Sequence, residues 1–359
     1  MELASNQVVI MPEQLRRFCV AVLERVGQAP EHARIVADTL VRADLRGVHS
    51  HGMIRFPFYV RRLVDGGSKL RPDIRILREA AATALLDGDG GMGQIVTVRA
   101  TEIAIDKARC AGLGFVAVTN SDHFGAAAYY AMRMLDAGMI GLVWCNGPRV
   151  MAPWGGCSAA IGNNPLAVAI PAGRFDPIVL DMAMSRVSGG KVRLASKKGE
   201  KIPTDWIVSK SGRTTDNPDD LSQGGALMAL GYKGYGLAVV GEVLCGALPG
   251  AGILSQIPVW FADTASPTNT GHLVMAVNIE AFVEIGEFVK RVDSIIEELK
   301  MCKAAEGFEE VLVPGELEAR TERRQTVKGI ALAPQVVADL EKIAAAYGVP
   351  FEVRPRSSN

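Results

Sequence analysis

The sequence predicts an α/β fold: a central sheet domain over residues 79–277, flanked by a helical lobe assembled from both ends of the chain, residues 1–78 and 278–359. Three observations predict it. Five short apolar runs, "TALLDG", "GFVAVTN", "IGLVWCN", "LAVAIPA" and "PIVLDMA", are bounded by Gly, Asn, Pro or Asp, as buried strands are. Helical stretches at about 94–110 and 125–137 alternate with them. Before and after this region, apolar residues recur at helical spacing instead.

From Pro12 to Asp65, Leu15, Phe18, Cys19, Leu23 and Val26 mark one helical face, and Pro30 opens a second helix at a permitted first-turn position. The strand runs begin after "RPDIRILREA". Residues 196–225 are polar and turn-rich, which predicts a long surface excursion from the sheet. The longest apolar run, "YGLAVVGEVLCGALPGAGIL", carries Glu242 and Pro249 and reads as a buried helix rather than a membrane span. Past Asn278, Phe288, Val292, Ile295, Ile296 and Leu299 form a helical stripe, and a last amphipathic segment runs from Pro334 to Tyr347. No internal repeat is visible.

At 359 residues the chain exceeds the size of one growing core, so two domains are expected. Lys plus Arg and Asp plus Glu both total 39, leaving no broad basic field for nucleic acid or an anionic membrane. The six cysteines are scattered without a C-x-x-C, which argues against a zinc ribbon or redox dithiol and fits buried thiols in a reducing cytoplasm. The first residues lack the charged and apolar regions of an export signal.

Directly after "TALLDG", Gly88, Gly90 and Gly93 spell G-x-G-x-x-G ahead of a helix and of a strand ending near Asp122. That is the layout of a dinucleotide-binding βαβ turn, yet Asp87 would repel the pyrophosphate, and a plain glycine-rich turn reads the same way. "SGGKV" at 188–192 lacks the spacing and hydroxyl of a P-loop.

The chemistry-bearing residues gather elsewhere. His49, Ser50, His51 and Arg55 fall within seven positions of a chain that has five histidines. An imidazole titrating near 6.5 suits proton exchange with an alcohol or carbonyl, and Arg55, four residues beyond His51, offers a planar fork for a carboxylate. The plainer reading is a surface histidine with a solvated arginine; a metal held by His49 and His51 has no third ligand nearby. In "TNSDHFGAAAYYA", His123 sits at a strand-to-helix junction beside Gly125 to Ala128, where backbone N–H groups meet anions. The alternative there is a helix cap by Ser121 or Asp122 with His123 incidental. Asn163, Asn164, Asp181, Ser185, Lys191 and Lys233 lie at the ends of apolar runs, where ligand-facing groups collect in α/β sheets but where turn residues and caps also occur.

Taken in order, "ADLRGVHSHGMIR", "NSDHFGAAAYYA", "GMIGLVWCN", "APWGG", "IGNNPLAVAIPA", "VLDMAMS", "GYKGYGLA" and "VPGELEAR" resemble the malate/L-lactate dehydrogenases of the second type. That family also holds sulfolactate and ureidoglycolate dehydrogenases, diketogulonate reductase and cyclic imino acid reductases. The resemblance covers about residues 12–347 and implies an NAD- or NADP-dependent oxidoreductase, a homodimer, whose central mixed β-sheet is not a Rossmann fold. By resemblance, His51 is the acid that protonates the substrate oxygen, Ser50 its neighbour, and Arg55 the carboxylate clamp. His123 matches a position at the nicotinamide and substrate that is sometimes assigned as proton acceptor, with Phe124 and Gly125 beside it. Asp181, Met182, Ala183, Ser185, Lys233, Pro314, Gly315 and Glu316 match cofactor contacts, and Asn163 a substrate contact. No metal is implied. Two positions depart from the pattern: His49 replaces the usual Asp, and Asn163 a common Thr.

The expected activity is hydride transfer between a nicotinamide and C2 of a small 2-hydroxy or 2-oxo acid, in the cytoplasm. Alternatives are reduction of a cyclic imine such as piperideine-2-carboxylate or pyrroline-2-carboxylate, acyl hydrolysis by Ser50, for which no G-x-S-x-G elbow exists, and a non-catalytic ligand-binding protein on the same fold. Arg186 and Arg193, near the cofactor segment, keep NADPH open beside NADH.

Overall fold

The computed structural model describes residues 8–352; the outermost residues of the expected lobe, 1–7 and 353–359, lie outside that range. The chain begins with β1 (Val8–Ile10), α1 (Pro12–Val26), α2 (Pro30–Leu45) and α3 (Phe56–Asp65). Then come β2 (Arg75–Glu79), β3 (Thr83–Asp87), α4 (Gly93–Ala111), β4 (Leu113–Ser121), α5 (Ala128–Arg133), β5 (Met139–Cys145), β6 (Leu166–Ile170) and β7 (Ile178–Met182). They are followed by α6 (Gly189–Lys198), β8 (Ile207–Val208), β9 (Ala226–Leu227), α7 (Gly231–Glu242) and β10 (Thr270–Asn278). The last elements are α8 (Ile285–Lys300), α9 (Glu316–Lys328), β11 (Ile330–Leu332) and α10 (Pro334–Tyr347).

All five predicted strand runs enter one seven-stranded sheet in the order β2-β3-β4-β10-β5-β6-β7. Because successive strand side chains point to opposite faces, apolar runs supply two cores at once. Leu86, Val116, Val118, Val143, Ala167 and Val274 lie on the face covered by α4 and α5. Phe115, Leu142, Trp144 and Leu273 lie on the other, under α6 and α7. Only β3 and β4 run parallel, joined through α4; each remaining neighbour pair in the sheet is antiparallel. The βαβ unit suggested by the glycine-rich turn is therefore real, but it sits in a mixed sheet that is not a Rossmann sheet. Gly93 has its own reason: a Cβ there would overlap the backbone of Asp122 and His123, so the glycine lets α4 press against the end of β4.

A separate core joins α1, α2 and α3 to α10 and to the two-stranded pairing of β1 with β11, in which Val8 faces Leu332. Trp260, from the loop before β10, enters this core. Helix α8 buries Val292 and Ile296 against Ile170, Ile178 and Phe175, beside the β6–β7 edge. One expectation is corrected. The long apolar run forms α7 and a π-type turn at 243–247, and it is buried on one side only: Ala238, Glu242 and Cys245 are buried, whereas Leu237, Val240, Val243 and Leu248 are exposed. The polar stretch at 196–225 is largely at the surface, anchored by buried Ile202, Ile207 and Val208.

Candidate active site

The pairing directions place the C-terminal ends of β3, β4, β5 and β7 on one edge of the sheet. His123 follows β4, Asp181 to Ser185 end or follow β7, and Asn163 precedes β6, so all meet that edge.

The histidine turn reaches it from the end of α2. Two 3-10 turns, His49–His51 and Met53–Arg55, flank Gly52, where a Cβ would overlap the Asp44 carboxylate. Asp44 is buried; one oxygen accepts from the Met53 N–H at 2.7 Å and the other faces His49 Nδ1 at 2.7 Å. That bond to the carboxylate raises His49 above its ordinary pKa. His51 has a different partner: its Nδ1 lies 2.9 Å from Ser50 Oγ.

Arg55, at the N-cap of α3, and Tyr59 and Arg62 within that helix share one face, at i, i+4 and i+7. Arg55 Nε donates to the Ser50 carbonyl at 2.7 Å, and its guanidinium lies 5.3 Å from the Trp260 ring centre. The Tyr59 hydroxyl is 2.7 Å from His123 Nδ1. Arg62, wholly buried, donates from Nε to Asp122 at 2.7 Å and to the carbonyls of Gly67, Trp260, Asp263 and Ser266. Asp122 also accepts from Ser68, from Thr268 at 3.1 Å, and from the His123 N–H at 2.7 Å. This buried charge pair is satisfied at every listening group around it, the condition under which burial of ions is tolerated.

The His51 and His123 rings lie nearly parallel, 5.7 Å between centres, and Trp260 stacks on His123 at 4.2 Å. Both imidazoles are half-buried and keep part of their surface accessible. Burial, helped by the Arg55 charge, lowers His51 to about 4, and burial with neighbouring positive charge holds His123 well below its ordinary value. Behind them His272, wholly buried, contacts Ser121 Oγ at 2.8 Å, stacks on Phe124 at 4.7 Å and is lowered to about 3 by burial. Phe124 is thus a core residue, whereas Gly125 takes a left-handed φ of 85°, and a Cβ there would stand 3.9 Å from the Tyr59 hydroxyl.

The remaining sequence-predicted residues line up along β7. The Asp181 carboxylate accepts from the Ala128 N–H at 3.0 Å, tying β7 to α5, and burial among protein atoms raises it to about 6 although its side chain reaches open space. Met182 and Ala183 are half-buried; the Ser185 hydroxyl donates to the Val187 carbonyl at 2.9 Å. The Asn163 carbonyl accepts from the Met184 N–H at 2.8 Å, and its neighbour Asn164 is buried and donates to Glu242 at 2.8 Å. Lys233 is exposed on the first turn of α7, whose start is tied to the same segment by Leu230 N–H and the Met184 carbonyl at 2.8 Å. Pro314 accepts from Val179 N–H at 2.9 Å, which lays 314–316 beside β7. The Glu316 carboxylate is committed to Lys300 at 2.8 Å and to Arg320.

Tyr59, Arg62, Trp260 and His272 are site residues that the sequence reading missed. The spacing of 55, 59 and 62 was a usable signal for the first two. Trp260 and His272 come from far along the chain and carry no local signal. Among the described residues, no group of three or more His, Cys, Asp or Glu side chains is placed to hold a metal ion.

Comparison with known proteins agrees with this geometry. A family model described as malate/L-lactate dehydrogenase matches residues 10–341. The chain is 39% identical over 352 residues to a malate dehydrogenase from Pyrococcus abyssi, covering 96% of each. It is 32% identical to a ureidoglycolate dehydrogenase (NAD(+)) from Escherichia coli strain K12, covering 96% of this chain and 98% of that one. Its fold superposes on sulfolactate dehydrogenase from Methanocaldococcus jannaschii with a TM-score of 0.90 at 37% identity, covering 96% and 98% of the two chains. A matching family model over most of the chain, relatives over nearly their whole length and a shared mixed sheet lead to one conclusion: the chain belongs to the malate/L-lactate dehydrogenase family and is an oxidoreductase.

Proposed function

We propose that the protein transfers a hydride between NAD or NADP and C2 of a small 2-hydroxy or 2-oxo acid. The observation that carries this reading is the convergence of Arg55, His51 and His123, a carboxylate fork beside two imidazoles whose centres are 5.7 Å apart.

The residues present fit a dinucleotide. Gly125 and Gly190 have only a hydroxyl, of Tyr59 and Ser188, at 3.9 Å from where a Cβ would stand, Gly189 lies against the Arg193 guanidinium, and Lys191 and Arg193 are exposed on the first turns of α6. Open backbone N–H groups with nearby cations suit phosphate oxygens. Asp181 to Ala183 and 314–316 form the neighbouring strip along β7. When bound, the nicotinamide accepts or supplies the hydride at C2.

The protein's own part is orientation and proton traffic. Arg55 is held by the Ser50 carbonyl, so its remaining donors are free to grip a carboxylate in two places. His51, neutral in the free site, accepts the hydroxyl proton as a 2-hydroxy acid is oxidised. In reduction it must first take up a proton, and the carboxylate that Arg55 brings in favours the imidazolium by opposite charge. The Tyr59 contact fixes the plane of the second imidazole, His123.

We further infer a homodimer, supported by the exposed apolar side chains Leu237, Val240, Val243 and Leu248. A cytoplasmic setting is supported by six cysteines that form no disulfide. Incubation with NADH or NADPH and a panel of 2-oxo acids tests the activity: reduced-nicotinamide absorbance should fall with one or more acids. Turnover of cyclic imines in place of 2-oxo acids would reassign the substrate.

A further inference from the structure

We propose that Trp260 is a positioning residue of this site, holding the His123 imidazole and the Arg55 guanidinium against one indole so that the second imidazole and the carboxylate clamp stay in register. The proposal rests on the 2-oxo acid reading for its catalytic consequence, but its physical core stands on geometry alone.

Trp260 is only 4% exposed, and three site side chains meet its ring. His123 stacks at 4.2 Å with 20° between planes, Tyr59 at 5.5 Å with 18°, and the Arg55 guanidinium lies at 5.3 Å. Its edge is braced by Phe58 and Phe261, at 6.1 and 5.6 Å, both near perpendicular. The backbone is pinned as well: Arg62 takes the Trp260 carbonyl at 3.2 Å while also holding Asp122, which accepts from the His123 N–H. The backbones that carry indole and imidazole are thus tied to the same buried ion pair.

An indole face is negative and attracts a cation. That places Trp260 among the few groups favouring a charged His123. His51, Arg55, Arg62 and His272 all oppose that charge, as does burial. Asp122 beside it is already neutralised by Arg62, and Tyr59 is an uncharged partner at Nδ1. Removing the indole should therefore lower the His123 pKa further and free Arg55 to move.

The test uses the full chain. Histidine ring proton titrations by NMR, with His123 identified by its loss in His123→Gln, should show a downward pKa shift in Trp260→Leu and a smaller one in Trp260→Phe. Kinetically, Trp260→Leu should raise KM for a 2-oxo acid about tenfold with a much smaller change in kcat, with Trp260→Phe recovering most of the loss. Should Trp260→Leu fail to fold, fluorinated tryptophans keep the shape and drain the ring of charge, and the His123 pKa should fall stepwise with fluorination. An unchanged His123 pKa in the folded variant and across the fluorination series would overturn the proposal, leaving Trp260 as core packing. Failure of the 2-oxo acid reading would show separately, as a wild-type protein that turns over no such acid while the NMR shifts remain.

Discussion

Two neutral imidazoles beside an arginine make a site that waits for an anion. With His51 lowered to about 4, the free site holds few imidazolium ions at neutral pH, so reduction depends on the proton that a bound carboxylate draws in. His51→Ala should cut 2-oxo acid reduction about a hundredfold while cofactor affinity stays within a few fold. Near wild-type turnover in that variant would move the proton to His123, whose ring lies parallel to it. Arg55→Lys should raise KM for 2-oxo acids far more than for their amides, because a lysine cannot present two parallel donors. Equal effects on acid and amide would take Arg55 out of the substrate site. At this scale the sequence was informative where residues are neighbours: the 49–55 cluster and the "HF" junction at 123 were legible from crowding and from turn chemistry. His49 was not, since nothing local shows that its ring pairs with buried Asp44 while His51 turns to Ser50.

The elements divide the glycine-rich turn from the strand end that Asp181 occupies. Gly90 has a φ of 66°, so Gly90→Val should cost stability, about 1–3 kcal/mol, through a strained backbone, and leave NADH binding intact. Asp181→Ala should weaken NADH binding several fold, because the carboxylate ties the end of β7 to α5. Fluorescence titration of both folded variants compares them; binding lost only with Gly90→Val would return the cofactor to the glycine turn. Strands were legible as bounded apolar runs, since burial on both faces removes alternation. The exposure of α7 was not. A helix apolar all round looks the same in sequence whether it packs inside its own chain or against another molecule. Trp260 was hidden for a different reason: Arg62, which holds its carbonyl, lies about two hundred residues away, and a single sequence records no such pairing.

For the whole molecule, the buried histidines set the acid limit of stability. Unfolded histidine titrates near 6.5, whereas His51 titrates at about 4 and His272 at about 3 in the fold. Between those values the unfolded chain binds more protons, so stability should fall as pH drops through that window. His123 and His32, also lowered, act in the same sense, whereas Asp181, raised to about 6, and Asp44 and His49, both raised, act in the opposite one, so four lowered groups face three raised ones. Urea midpoints measured at about pH 7 and about pH 5 should therefore differ, with the lower pH less stable. Association should be broken by Val243→Glu, which puts a charge on the exposed apolar face of the π-type turn; light scattering before and after the change reads the mass. A protein that is monomeric to begin with would remove the dimer. One further consequence follows from the pairing of β1 with β11 and from Gln325, whose amide donates to the carbonyls of Asp44 and Leu45 at 2.9 and 3.1 Å. The helix that leads into the histidine turn is clasped by residues made almost three hundred positions later. During synthesis α2 can pack on α1, α4 and α5 first, and the clasp on its last turn closes only once Gln325 has emerged.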